Sequence, residues 1–85
     1  LGLAHLYLNG RGFDAPKSQK RISEMGQDVK RYELIAGDII IFGHKDHLGI
    51  YEGEGNFIHA NTNEVVRDQL TGWEASFVCA RRFQN

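Results

Sequence analysis

Ile39-Ile40-Ile41-Phe42 is an unbroken run of β-branched and aromatic residues, entered through the turn signal Gly37-Asp38. A run of this kind, with no polar alternation, suits a strand buried on both faces. Asp38 is read as satisfying amides of that turn. The next segment has the opposite pattern: His47 to Asn61 alternates, and it bends at Gly53-Glu54-Gly55. This is the signature of a β-hairpin.

The register of that hairpin sorts its side chains. With Gly53-Glu54-Gly55 as a three-residue loop, Glu52 faces Asn56, Tyr51 faces Phe57, Ile50 faces Ile58 and Gly49 faces His59. Because side chains alternate between faces, Leu48, Ile50, Ile58 and Ala60 form one wholly apolar face. His47, Gly49, Tyr51, Phe57, His59 and Asn61 form the other. A two-residue loop would slip the register by one and set His59 opposite Ile50. Keeping the apolar face intact favours the first arrangement.

In that register His47 and His59 are diagonal neighbours, about 7–8 Å apart at the backbone and within side-chain reach. Gly49 is expected to leave room between them. A histidine titrates near neutrality and works best as a general base when a second polar group fixes its tautomer and orientation. Two imidazoles on rigid strands therefore read as half of a nucleophilic triad. The plain alternative is a pair of partly buried, hydrogen-bonded structural histidines.

Upstream, Leu1 to Leu8 reads as a helix already under way, ended by Asn9-Gly10 and lacking a capping residue before it. The expectation is a truncated chain, whose preceding segment completes the fold and holds any targeting signal. Ser18 caps a second helix in which Ile22, Met25 and Val29 recur on one stripe. Val65-Val66-Arg67 and Phe77 to Phe83 read as further strands. Helices followed by four or five antiparallel strands make one α+β domain over residues 1–85.

Composition narrows the functional classes. Ten basic against eleven acidic residues leave a net charge of −1 and no basic stripe, so nucleic acid is not an expected partner. No apolar run approaches the roughly 18 residues of a membrane span. The single cysteine, Cys79, lies in the apolar run Phe77-Val78-Cys79-Ala80 and reads as a small buried hydrophobe.

Three segments in order now match a family pattern. Gly37-Asp38-Ile39-Ile40-Ile41-Phe42, His47-Leu48-Gly49-Ile50-Tyr51 and Asn56-Phe57-Ile58-His59-Ala60 resemble the core of the NlpC-type cell-wall cysteine peptidases. The closing Phe77-Val78-Cys79-Ala80-Arg81-Arg82-Phe83 resembles that family's last strand, and Pro16-Lys17-Ser18-Gln19 its loop into the second helix.

The resemblance implies a papain-like fold with N-terminal helices on an antiparallel sheet. It also implies hydrolysis of peptidoglycan stem peptides next to D-glutamate, outside the cytoplasm. It makes His47 the general base and His59 the orienting residue, with no cofactor. The family's nucleophile is a cysteine at a helix N-terminus, where the helix dipole and an imidazolium lower a thiol pKa. Gly2 fits the glycine two positions after it. The nucleophile is then expected immediately before Leu1, and the 85-residue chain is expected to be inert alone.

Leu1 departs from the family's usual serine and is a candidate substrate contact. Asp46, beside the base, is a candidate cleft residue, with a solvated loop carboxylate as its plain alternative. His44, Asp46, His47 and His59 also invite a metal reading, because histidines three apart occur among zinc ligands. The hairpin register accounts for two of those histidines without a metal, so none is expected. His5 is read as lying on an exposed or partly buried helix face, and Trp73, Phe42, Phe57 and Phe77 as core. A non-catalytic wall-binding or phage-tail module of the same fold is the alternative function.

Overall fold

The computed structural model of the chain describes residues 3–43, 47–60 and 64–84. Leu1, Gly2, His44, Lys45, Asp46 and Asn61 lie outside the described residues. The chain runs α1 (Leu3–Gly10), α2 (Gln19–Ile22), β1 (Gln27–Val29), β2 (Ile39–Phe42), β3 (His47–Gly53), β4 (Asn56–Ala60), β5 (Val65–Gln69) and β6 (Phe77–Arg82). Short 3-10 segments at Arg31–Glu33 and Leu70–Ser76 link the strands. The strands form a single antiparallel sheet in the order β1-β6-β2-β3-β4-β5. The architecture is α+β, with six described strands where the sequence suggests four or five.

The additional strand comes out of the predicted second helix. Ser18 does cap that helix, its hydroxyl accepting from the Arg21 amide at 3.3 Å. The helix nevertheless ends at Ile22, and Val29 sits on edge strand β1, paired with Ala80. Gly26 makes the break: its φ is +71°, and a Cβ there would stand 2.7 Å from the Arg82 carbonyl oxygen. Arg81 then ties the segment down, donating to the carbonyls of Met25 at 2.6 Å and Gly26 at 2.9 Å. Ile22, Met25 and Val29 keep a helical spacing by coincidence. Ile22 and Met25 do pack in one cluster, but Val29 is buried by sheet pairing.

The Ile39-Ile40-Ile41-Phe42 run is buried at all four positions, and β2 lies between β6 and β3. Ile39 and Ile41 point to the side covered by Ala4 and Leu8 of α1, with Ile22, Ile50 and Phe83. Ile40 and Phe42 point to the other side, with Tyr51, Phe57 and Leu70. A strand with no polar alternation is thus sandwiched between two apolar clusters, as its composition requires. Helix α1 runs through Gly10, and the glycine with positive φ beyond it is Gly12, at +91°.

Asp38 anchors the β2 entrance more firmly than a turn residue need. Its Oδ2 accepts from the Ile35 amide at 2.9 Å, which is the expected turn role. Its carboxylate also receives a two-pronged ion pair from Arg82, at 2.8 and 2.9 Å, while only 1% exposed. That hydrogen bonding pushes the Arg82 guanidinium further up from its already high value.

In the hairpin, Ile50 faces Ile58 and Tyr51 faces Phe57, as the sequence register requires. The turn differs. Gly53, not Glu52, faces Asn56, and a register shift between Tyr51 and Gly53 absorbs one extra residue. The loop proper is Glu54-Gly55, with φ of 55° and 84°, both positive as in a type I′ turn. A bulge therefore lets a two-residue turn coexist with the intact apolar face. The Tyr51 hydroxyl holds the turn, accepting from the Gly55 amide at 2.8 Å.

Candidate active site

Three neighbouring strands and one 3-10 segment bring the polar groups together. His47 opens β3, directly opposite Phe42 of β2, so both project from the Ile40/Phe42 side of the sheet. His59 lies two residues after Phe57 on β4 and shares its face. Asp68 of β5 faces Phe57, which makes it the diagonal neighbour of His59. Trp73 reaches the same face from Leu70–Ser76.

The contacts are short. His47 Nε2 lies 2.6 Å from His59 Nδ1, and His59 Nε2 lies 2.7 Å from Asp68 Oδ2. The three side chains form a hydrogen-bonded row running from a half-buried end at His47 to a partly open end at Asp68. His59, in the middle, is 6% exposed. Asp68 opens onto a cleft of about 570 Å³, whose walls include Asn56, Gln69 and Trp73.

Aromatic rings hold the row in place. His47 stacks on Trp73, with centroids 5.5 Å apart and planes within 19°. His59 stacks on Phe57 at 4.9 Å and meets Trp73 edge-on at 5.1 Å. Phe42 supports from beneath, 5.0 Å from Phe57 and 5.1 Å from Trp73. Trp73, expected as core, is half-buried and forms a wall of the histidine pair.

Gly49 serves a different purpose from the one its sequence position suggests. It does not leave a gap between the histidines. The Phe57 ring fills that space, and a Cβ on Gly49 would stand 2.6 Å from a Phe57 ring carbon. The glycine admits the ring on which His59 stacks.

The remaining sequence candidates lie apart. Cys79 pairs with Ile41 and packs on the α1 side of the sheet, the face opposite the histidines. Burial is the main cause that pushes its thiol up, with Asp28 adding and Arg81 opposing. Neither its position nor its raised pKa suits a nucleophile activated by His47. His5 is partly buried, its ring nitrogens 3.3 Å from the Pro16 carbonyl and 3.0 Å from the Asn9 amide. His44, Asp46 and Leu1 lie outside the described residues. Asp68 is the member that sequence reasoning misses, because a strand read only from Val65-Val66-Arg67 stops one residue short of it. The signal is present: Val66, Asp68 and Leu70 alternate inward against outward Val65, Arg67 and Gln69.

Comparison with known proteins gives a consistent picture. The NlpC/P60 family model matches residues 1–82. The Escherichia coli K12 protein named murein DD-endopeptidase MepS/murein LD-carboxypeptidase is 38% identical over 58 residues, 65% of this chain and 31% of its own length. A Bacillus cereus gamma-D-glutamyl-L-lysine dipeptidyl-peptidase is 27% identical over 92 residues, 96% of this chain and 28% of its own length. A crystal structure of an NlpC/P60 family protein from Bacillus cereus superimposes with a TM-score of 0.83 at 28% identity, covering 93% of this chain and 29% of that one. The chain thus spans about a third or less of these relatives.

Proposed function

The chain belongs to the NlpC/P60 family, and from that premise we propose that it carries the histidine side of a cysteine-peptidase centre acting on peptidoglycan stem peptides. The observation that carries this reading is the 2.6 Å contact between His47 Nε2 and His59 Nδ1 on adjacent strands. His47 is assigned as the general base and His59 as the group that orients it. The bond attacked is the one next to D-glutamate, a reading supported by the gamma-D-glutamyl specificity in the name of one relative.

The chemistry is that of a thiol activated by an imidazole. His47 takes the thiol proton, and the thiolate adds to the scissile carbonyl carbon. The C–N bond then breaks, the imidazolium returns the proton to the leaving amine, and water releases the acyl group from sulfur. The nucleophile is assigned to the position before Leu1 in the family pattern. Cys79 is unsuited to the role, since it lies on the other face of the sheet. Leu1 and Asp46 are assigned to substrate contact, and the site of action to the cell wall, outside the cytoplasm. Among the described residues no helix is long and apolar enough to cross a membrane.

The test is a protein extended upstream of Leu1 to include that cysteine, incubated with isolated stem peptides. Cleavage next to D-glutamate is expected, and His47→Ala should lower the rate by about 10²–10⁴-fold. Full activity in that variant would sink the mechanism.

A further inference from the structure

Asp68 sits at the far end of the hydrogen-bonded row and lies, in sequence, outside the family motifs that contain His47 and His59. Its Oδ2 is 2.7 Å from His59 Nε2. A carboxylate can only accept hydrogen bonds, whereas a neutral imidazole has one donor and one acceptor nitrogen. The hydrogen of His59 therefore belongs on Nε2, facing Asp68. That leaves His59 Nδ1 as an acceptor.

The consequence passes to the next ring. His47 Nε2 is 2.6 Å from His59 Nδ1, and an acceptor there requires the His47 hydrogen to be on Nε2. The other nitrogen of His47, Nδ1, then carries the lone pair. The carboxylate disfavours the reversed row, in which His59 Nδ1–H donates to His47 Nε2. In that reversed state His47 holds its hydrogen on Nδ1 and presents its lone pair to His59.

We propose that Asp68 is a positioning residue that sets the direction of the His47–His59 hydrogen bond and so places the lone pair of His47 on Nδ1. The inference rests on the peptidase reading for its purpose, because only a base needs a defined lone pair. It does not rest on that reading for its geometry. Steric supports are already supplied by Phe57 and Trp73, which hold the ring planes but cannot choose a tautomer. Stacking is symmetric with respect to which nitrogen bears hydrogen; the carboxylate is not. The side chain of Asp68 is 45% exposed toward its cleft, against 8% for His59, so the carboxylate retains water on one side while aiming an oxygen at the ring.

The experiment reads the tautomers directly. In the ¹⁵N-labelled chain, ring nitrogens are correlated with carbon-bound ring protons at a pH of about 8, above the ~6.5 of an unperturbed imidazole. Protonated and unprotonated nitrogens separate clearly in such spectra. The expected result is hydrogen on Nε2 of both His47 and His59, each as a single tautomer. In Asp68→Ala both rings move to averaged shifts. Hydrogen on His59 Nδ1 in the unsubstituted chain, or unchanged single tautomers in Asp68→Ala, overturns the proposal. Should the alanine variant lose its folded amide spectrum, Asp68→Asn replaces it. An amide presents either an acceptor or a donor, so mixed tautomers are expected there and unchanged ones overturn the assignment.

This readout needs neither nucleophile nor substrate. An extended protein that is inactive but shows the expected tautomers defeats the peptidase reading alone. One that is active with His59 carrying hydrogen on Nδ1 defeats only the role of Asp68.

Discussion

The two faces of the β2-β3-β4 sheet are built from different materials. On the α1 side, Ile39, Ile41, Leu48, Ile50, Ile58 and Cys79 meet Ala4, Leu8 and Ile22. The residues that the strands contribute to this side are aliphatic or small and a helix covers them, with Phe83, Phe13 and Tyr7 packed alongside. On the other side, Phe42, Phe57, Tyr51 and Trp73 surround two imidazoles and a carboxylate. Flat rings there serve both as core and as platforms for polar rings. Aliphatic packing can bury a strand but gives an imidazole no preferred plane. Aromatic stacking supplies one, at centroid distances of 4.9 to 5.5 Å here, while the hydrogen bonds are made at the ring edges. One face thus stabilises the sheet, and the other stabilises it while orienting a site.

Removing the central platform should break this contrast most. Phe57 is 0% exposed and touches Phe42, His59 and Trp73. Phe57→Ala is expected to cost about 3–5 kcal/mol in urea unfolding, the range for a deleted buried aromatic. It should also move the His59 ring signals in spectra of the chain that remains folded. Unmoved signals would mean that stacking does not orient the histidine.

Gly49→Ala tests the same platform by crowding instead of emptying it. A methyl 2.6 Å from the buried Phe57 ring must displace it, with the Ile58 carbonyl 3.3 Å away on another side. Overpacking of this kind costs about 1–3 kcal/mol. A neutral or stabilising outcome by thermal unfolding would show that the ring has slack.

The smallest effect belongs to the aliphatic face. Burial holds the Cys79 thiol above its ordinary value of 9.0. The folded state therefore keeps its proton at a pH where the unfolded chain has begun to lose it, and stability falls as pH rises through that interval. Alkylation by iodoacetamide should run several-fold slower than in the urea-unfolded chain, with its pH midpoint displaced upward. Reaction at the unfolded rate would mean that this face is open.

Much of this arrangement is legible from alternation alone. Period-two patterning puts His47 and His59 on one face and Ile50 opposite Ile58, because a strand has only two faces and one of them is apolar. The unbroken Ile39–Phe42 run announces a strand covered on both sides. The family motifs are equally local. Each lies within a few consecutive residues, and the matched model spans residues 1–82.

Other features depend on distant partners, and local pattern misreads or omits them. The helix expected through Val29 stops at Ile22, because Gly26 turns and Arg81, 55 and 56 positions along the chain, captures the carbonyls of Gly26 and Met25. Asp38 has the pattern of a turn residue until Arg82 closes on it from 44 positions away. Gly49 has the pattern of empty space between histidines, yet whether such space stays empty depends on the ring across the hairpin. Asp68 enters the site only once β5 is paired with β4 and its register set. The sequence by itself determined which side chains share a face, since backbone geometry dictates that alternation. Tertiary structure alone decided what stands beside them, because ring stacking, close approach and ion pairing require atoms that the chain brings together only when it folds.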